Sequence, residues 1–192
     1  MPPLAAFLSS HPRTRDAAAI AATASLSFLY VQGGVACMLG FVALVPWLLS
    51  LDAQASLART LVSAWAMAVA FSLAVFAWFA GAIGAVTQWG DAAGLVVLVV
   101  AAPLFQPQFL AFALARHVAG RRHGAAPRAL AAAAAWVACE WAVPRLLGDT
   151  LGDGLYPSRV LRQAADLGGA SGLTLLLLLA NEGVAADRKS VV

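Results

Sequence analysis

The chain has 192 residues, 62% hydrophobic and 11% charged, with a formal net charge of +3 and a mean hydropathy of +0.84. A soluble domain carries roughly 45–50% apolar and about 25% charged residues, and a chain of this length still exposes much of its surface, which excludes water as the main solvent. The surplus charge is nearly all arginine set between apolar runs, without the basic stripe and interleaved aromatics of a nucleic-acid surface; nucleic acid is excluded as a partner and a membrane is favoured.

A helix needs about 20 mostly apolar residues to cross the hydrocarbon core. The apolar runs here are continuous, whereas a membrane barrel would alternate apolar and polar residues. After a cytoplasmic segment, 1–16, the first predicted span is 17–31, short and rich in alanine. Arg13 and Arg15 precede it in the outline of a secretory signal. The second span, 35–51, begins after only Gln32, Gly33 and Gly34, so a tight helical hairpin fits better than a cleavage site. The third span is 57–80. The fourth, 92–115, contains Pro103 and Pro107 beside Gln106 and Gln108, and its middle is expected to kink. Each proline removes one backbone donor and crowds the carbonyl one turn earlier. Neighbouring helices must cover the freed carbonyls, and the two glutamines either do the same or line a polar crevice.

The fifth span, 126–143, holds the alanine run 129–135, which suits close helix packing. A long loop, 144–167, follows, with a Gly-Asp-Thr-Leu-Gly-Asp-Gly stretch from Gly148 and a proline at Pro157, both turn-forming. The sixth span is 169–186 and a short tail, 187–192, ends the sequence. The expected fold is all-α: a polytopic membrane bundle of about six transmembrane helices, 17–186, in one domain.

With a cytoplasmic N-terminus, the inner side receives Arg13, Arg15, Arg59, Arg116, Arg121, Arg122, Arg128, Arg188 and Lys189. The outer side receives Arg145, Arg159 and Arg162. This asymmetry is the positive-inside pattern of a cytoplasmic (inner) membrane protein. Trp47, Trp78, Trp89, Trp136 and Trp141 fall near span ends, where amphipathic rings prefer to sit, while Trp65 is deeper and expected between helices.

Glu140 is the one acidic residue well inside a predicted span. A carboxylate at mid-bilayer costs roughly 2.5–3.5 kcal/mol on insertion scales, so such a residue commonly serves a function. It also lies about a turn from the outer end, between Trp136 and Trp141, where it could reach headgroups or pair with Arg145. Asn181, beside Glu182 in the sixth span, reads as packing glue, an interhelical amide bond contributing about 0.6–2 kcal/mol. Cys37 and Cys139 read as small apolar fillers, having no neighbouring cation to lower a thiol pKa. His11, His117 and His123 sit beside arginines in cytoplasmic segments. No metal-ligand spacing, phosphate loop or serine elbow occurs, so no catalytic residue, metal or cofactor is expected from the residues.

The stretch Trp136-Val-Ala-Cys-Glu140-Trp141, a glycine-rich outer loop and Gln163-Ala-Ala-Asp166-Leu-Gly168-Gly-Ala-Ser-Gly172 together resemble bacterial apolipoprotein N-acyltransferase. Asn181 falls where that family has an asparagine in the following span. Leu44-Val-Pro46-Trp-Leu-Leu, Phe76-Ala-Trp78 and Gln88-Trp89-Gly90 are similar to its second span, its third span and the outer loop after it. The resemblance implies transfer of an acyl chain from a phospholipid to the amine of a diacylglyceryl-cysteine on a lipoprotein. The chemistry passes through a thioester on a cysteine of a nitrilase-like domain, helped by a glutamate and a lysine; a thiolate with a positioned base suits two-step acyl transfer.

No residue here matches that catalytic set. The family's Gly-Phe-Pro-Trp outer motif is replaced by the stretch from Gly148 to Gly154, and the tail from Asp187 stands where the family continues into another helix. The expectation is the membrane-embedded part of such an enzyme, inactive as given, with a truncated or foreign tail. Its partners would be membrane phospholipid, lipoprotein substrate and a missing or separate nitrilase-like domain. Glu140, Trp136, Trp141, Gln163 and Asp166 are the candidate lipid or substrate contacts. The alternatives are a small six-helix transporter or lipid-binding scaffold, and an assembly subunit contacting other membrane proteins.

Overall fold

The computed structural model of the chain describes residues 12–144 and 149–190. Among these residues every regular element is helical. In chain order they are α1 (Pro12–Val31), a 3₁₀ helix (Gly34–Phe41), α2 (Val45–Asp52), α3 (Leu57–Thr87), α4 (Gly90–Phe105), α5 (Gln108–Gly120), α6 (Ala125–Ala142), a short 3₁₀ turn (Leu151–Leu155) and α7 (Arg159–Ser190). α3 packs along α1, α4 and α5; α6 lies between α5 and α7; α2 leans on α1 and α7. Large apolar side chains such as Val35, Val86, Leu104 and Leu167 stay exposed on the outer surface. In water that surface would drive aggregation, whereas lipid solvates it. The protein is an all-α membrane bundle.

The spans differ from expectation in instructive ways. Gly34–Asp52, Leu57–Thr87 and Arg159–Arg188 are each long and apolar enough to cross a membrane, and α4 with α5 makes a fourth span if the bent pair counts as one. The other two expected spans are present as helices but are less apolar. α1 carries Arg13, Arg15 and Asp16 in its first turns and then mixes alanine with serine and threonine, while α6 carries Pro127, Arg128 and Glu140. α1 starts within the expected N-terminal segment, at Pro12. The second span is not one α-helix: a 3₁₀ segment leads into α2, where Pro46 stands at the helix start. α3 runs on to Thr87, which shortens the outer connection to Gln88 and Trp89, with Gln88 left-handed at φ 62°. The fourth span bends by 42° between α4 and α5, at Gln106 and Pro107, where the prolines placed it. α7 begins inside the expected outer loop and is broken at Gly169, whose φ of 65° no β-carbon-bearing residue adopts cheaply.

Small residues set the closest crossing. A β-carbon on Gly94 would lie 2.0 Å from the carbonyl oxygen of Ala80, and one on Gly84 would lie 2.6 Å from the Gly90 carbonyl. α3 and α4 can approach this closely only because both positions are glycine. The main core is aromatic. Phe109 lies 4.7 Å from Trp136, 5.2 Å from Phe71 and 5.6 Å from Trp47, centroid to centroid. Trp47 is thus not at an interface: it is fully buried, its indole N–H donating to Ser63 Oγ at 3.1 Å and its backbone N–H to Thr23 Oγ1 at 3.1 Å. Trp65, expected between helices, is 49% exposed and faces outward. A second, smaller cluster gathers Tyr30, Cys37, Leu155, Leu173 and Leu177.

Candidate functional site

The bend between α4 and α5 opens a polar notch in the bundle. Pro107 has no N–H to offer, so the chain restarts there, with Gln106 turned out of helical geometry and its N–H held by the Ala102 carbonyl at 2.8 Å. Gln106 and Gln108 are both buried, and the Gln108 amide donates to Gln106 Oε1. They line a small cavity of about 40 Å³ with Tyr30, Phe71, Trp136 and Thr150. A water needs roughly 10–15 Å³ of such space, so the cavity is sized for solvent and excludes an acyl chain. Of the two sequence readings for these glutamines, the structure realises the crevice.

The crevice is roofed by the glycine-rich connection. Thr150 and Asp153 form a reciprocal cap: the Thr150 N–H and hydroxyl both donate to Asp153 Oδ2, at 2.6 and 3.1 Å. The turn they start, Leu151–Leu155, is clamped from two sides. The Tyr30 hydroxyl donates to the Leu151 carbonyl, and the Gly152 N–H donates to Thr174 Oγ1 of α7 at 2.9 Å. Gly152 lies so near the α7 backbone that a β-carbon would sit 2.3 Å from the Ala170 carbonyl oxygen, and one on Gly154 would strike the Tyr30 ring at 2.3 Å. Residues 150–155 are therefore a fixed turn.

Beside this roof lies an open groove of about 400 Å³, lined by Val31, Val75, Phe76 and Trp78 and by Asp149, Thr150, Asp153 and Gly154. The groove thus brings apolar and polar side chains onto one surface.

The five candidate contacts do not converge. Trp136 and Glu140 form one pair: both are buried, and the indole N–H donates to Glu140 Oε1 at 2.9 Å. Glu140 thus faces inward, one turn from its tryptophan; Arg145, its expected partner, lies outside the described residues. Trp141 is 80% exposed and donates to Ser171 Oγ at 3.0 Å, tying α6 to α7. Gln163 and Asp166 are exposed on the first part of α7, before the Gly169 break. Only Trp136 lines the crevice.

Sequence reasoning missed the largest polar cluster. Arg116 and Arg128, counted as loop arginines, turn inward at the opposite end of the bundle. Arg116 Nε and Nη2 hold both oxygens of Glu182, and its Nη1 lies 2.8 Å from Asp52 Oδ1. Arg128 lies 3.1 Å from Asp52 Oδ1 and 3.5 Å from Glu182 Oε2. Arg116 is 4% exposed and Glu182 1%. An isolated buried charge costs several kcal/mol, so the cluster persists only because two cations face two anions with shared hydrogen bonds. The available signal was acidic residues at the ends of apolar runs, Asp52 and Glu182, opposite arginines at the ends of others.

Asn181, next to Glu182, behaves as expected. Its Oδ1 accepts from the Leu44 N–H and its Nδ2 donates to the Gly40 and Leu177 carbonyls, all at 2.8 Å. The bonds to Gly40 and Leu44 serve the backbone where the 3₁₀ segment passes into α2.

No group of three or more His, Cys, Asp or Glu side chains able to hold a metal occurs among the described residues. No curated protein matches the chain, and no solved structure does. Residues 21–182 match the family model described as the apolipoprotein N-acyltransferase N-terminal domain. That match takes in the helices from the middle of α1 to Glu182 of α7, with the crevice and the buried ion cluster, and the chain belongs to the apolipoprotein N-acyltransferase family through this domain.

Proposed function

We propose that this chain is the membrane-embedded part of an apolipoprotein N-acyltransferase and presents phospholipid and lipoprotein for N-acylation of a diacylglyceryl-cysteine. The observation that carries the reading is the family match over 21–182, covering the helices that frame the outer groove. In this reading the groove beside Val75, Phe76 and Trp78 receives an acyl chain, and the polar roof at Thr150 and Asp153 marks headgroup depth. Trp141, Gln163 and Asp166, exposed on α6 and α7, are the contacts offered to lipid or lipoprotein. Trp136 and Glu140 brace the crevice from within. The bond-making chemistry belongs to a nitrilase-like domain, present as another stretch or another chain. The protein resides in the bacterial cytoplasmic membrane with its N-terminus inside, a reading supported by the arginine asymmetry.

The test is acyl transfer to a diacylated lipopeptide in proteoliposomes. The chain alone is expected to be inactive, and the chain joined to a nitrilase-like catalytic domain active. Turnover by the chain alone, or activity of the catalytic domain that ignores the chain, would sink the proposal. Discontinuous helices also occur in transporters; solute flux across chain-only vesicles would favour that second reading.

A further inference from the structure

At the end of α1 and α3 remote from the outer groove, a second groove of about 500 Å³ opens between the two helices. Its walls are Ala17, Ile20, Val62 and Ala66, and its mouth carries Arg13, Arg59, Asp16 and Gln54. From Arg13 to Val31 α1 rises about 27 Å at 1.5 Å per residue. That is close to the roughly 30 Å of a bilayer's hydrocarbon core, so if the outer groove lies at one headgroup layer, the two arginines lie at the other.

The charges at this mouth are not balanced from within. Arg116 and Arg128 are matched by Asp52 and Glu182, and Arg15 lies 3.4 Å from Asp16. Arg13 and Arg59 form no ion pair among the described residues, and both are exposed. Between them Gln54 donates through Nε2 to Asp16 Oδ2 at 3.4 Å, while its Oε1 is buried and accepts nothing. Turning the amide over would set its oxygen against the Asp16 carboxylate, so the unused acceptor is the favoured state. A buried acceptor without a donor is costly.

We infer that this groove binds one anionic phospholipid of the opposite leaflet, with its phosphodiester between Arg13 and Arg59 and a headgroup hydroxyl donating to Gln54 Oε1. Guanidinium forks hold phosphate oxygens in bidentate geometry. The excess of positive charge selects a headgroup with net charge −1 over a zwitterion. The hydroxyl requirement points to a glycerol-type headgroup, and Ile20, Val62 and Ala66 line the path of one acyl chain. The site is separate from the outer groove and does not depend on acyl-transfer activity.

Native mass spectrometry of the delipidated full chain, titrated with phosphatidylglycerol or phosphatidylcholine, tests the inference. One phosphatidylglycerol is expected to be retained in preference to phosphatidylcholine. Near a membrane surface each arginine contributes about a five-fold change in binding, so Arg13→Ala with Arg59→Ala should weaken retention about 30-fold. Because both side chains are exposed, the double variant should keep its melting temperature, which separates lost binding from lost fold. Ala66→Phe, which fills the groove and leaves the arginines, should also lower retention. Equal retention of the two lipids, or unchanged retention in the double variant, would overturn the site. An adduct that forms only after residues 2–11 are deleted would make the chain's own N-terminus the occupant and overturn it as well.

Discussion

The amide of Asn181 joins Gly40 and Leu44, where the 3₁₀ segment passes into α2, to Leu177 one turn back on its own helix. Replacing it by alanine leaves a buried N–H and a buried carbonyl unserved, and Asn181→Ala should lose about 1–3 kcal/mol of stability. Thermal unfolding in detergent reads this; an unchanged midpoint would show that water replaces the amide. Glu182 is a stronger case. Glu182→Leu strands part of the Arg116 guanidinium and should cost about 3 kcal/mol. Adding Arg116→Met should recover much of that loss, since Asp52 and Arg128, 3.1 Å apart, still neutralise each other. If the double variant is no more stable than the single one, the cluster does not act as two pairs. Asn181 was legible in the sequence because a polar residue in an apolar run must find a partner; Glu140 stood out for the same reason, but its bond from Trp136 was not foreseen. Arg116 and Arg128 were not: an arginine at a helix end can extend into headgroups or fold inward, and only the positions of Asp52 and Glu182 in space decide.

Among the elements, the bend between α4 and α5 was written locally in Pro103 and Pro107, and it formed where they stand. The early start of α7 was not so written. The stretch around Arg159 to Gly168 lies among turn-forming residues, and its helix joins the following span across the Gly169 break. The 3₁₀ turn after Thr150 was readable as a turn, but its fixation needed Tyr30, more than a hundred residues away. Likewise Trp47 reads as an interface residue until the facing aromatics are known. At the α3–α4 crossing, Gly94→Leu should force the helices apart, since even the β-carbon meets the Ala80 carbonyl. A cost of about 1–3 kcal/mol or more is expected. Disulfide trapping between cysteines placed on α3 and α4 would report it, and trapping at the parent rate would contradict the close crossing.

For the molecule as a whole, hydropathy and arginine placement were enough for the membrane bundle, while the number of spans was harder to read because α1 and α6 are only moderately apolar. Orientation is open to a direct measurement. In whole cells, Tyr156→Cys on the outer turn should react with an impermeant maleimide, and Gly124→Cys between α5 and α6 should react only after lysis. The reverse pattern would invert the topology. The arginine–carboxylate cluster bears on energetics at this scale too. Two cations beside two anions sum to zero, so an electric field across the membrane does no net work on them. A lone charge would instead feel about 2.3 kcal/mol per 100 mV. The helices joined there should therefore hold the same arrangement in respiring cells and in cells whose potential has been collapsed by an ionophore.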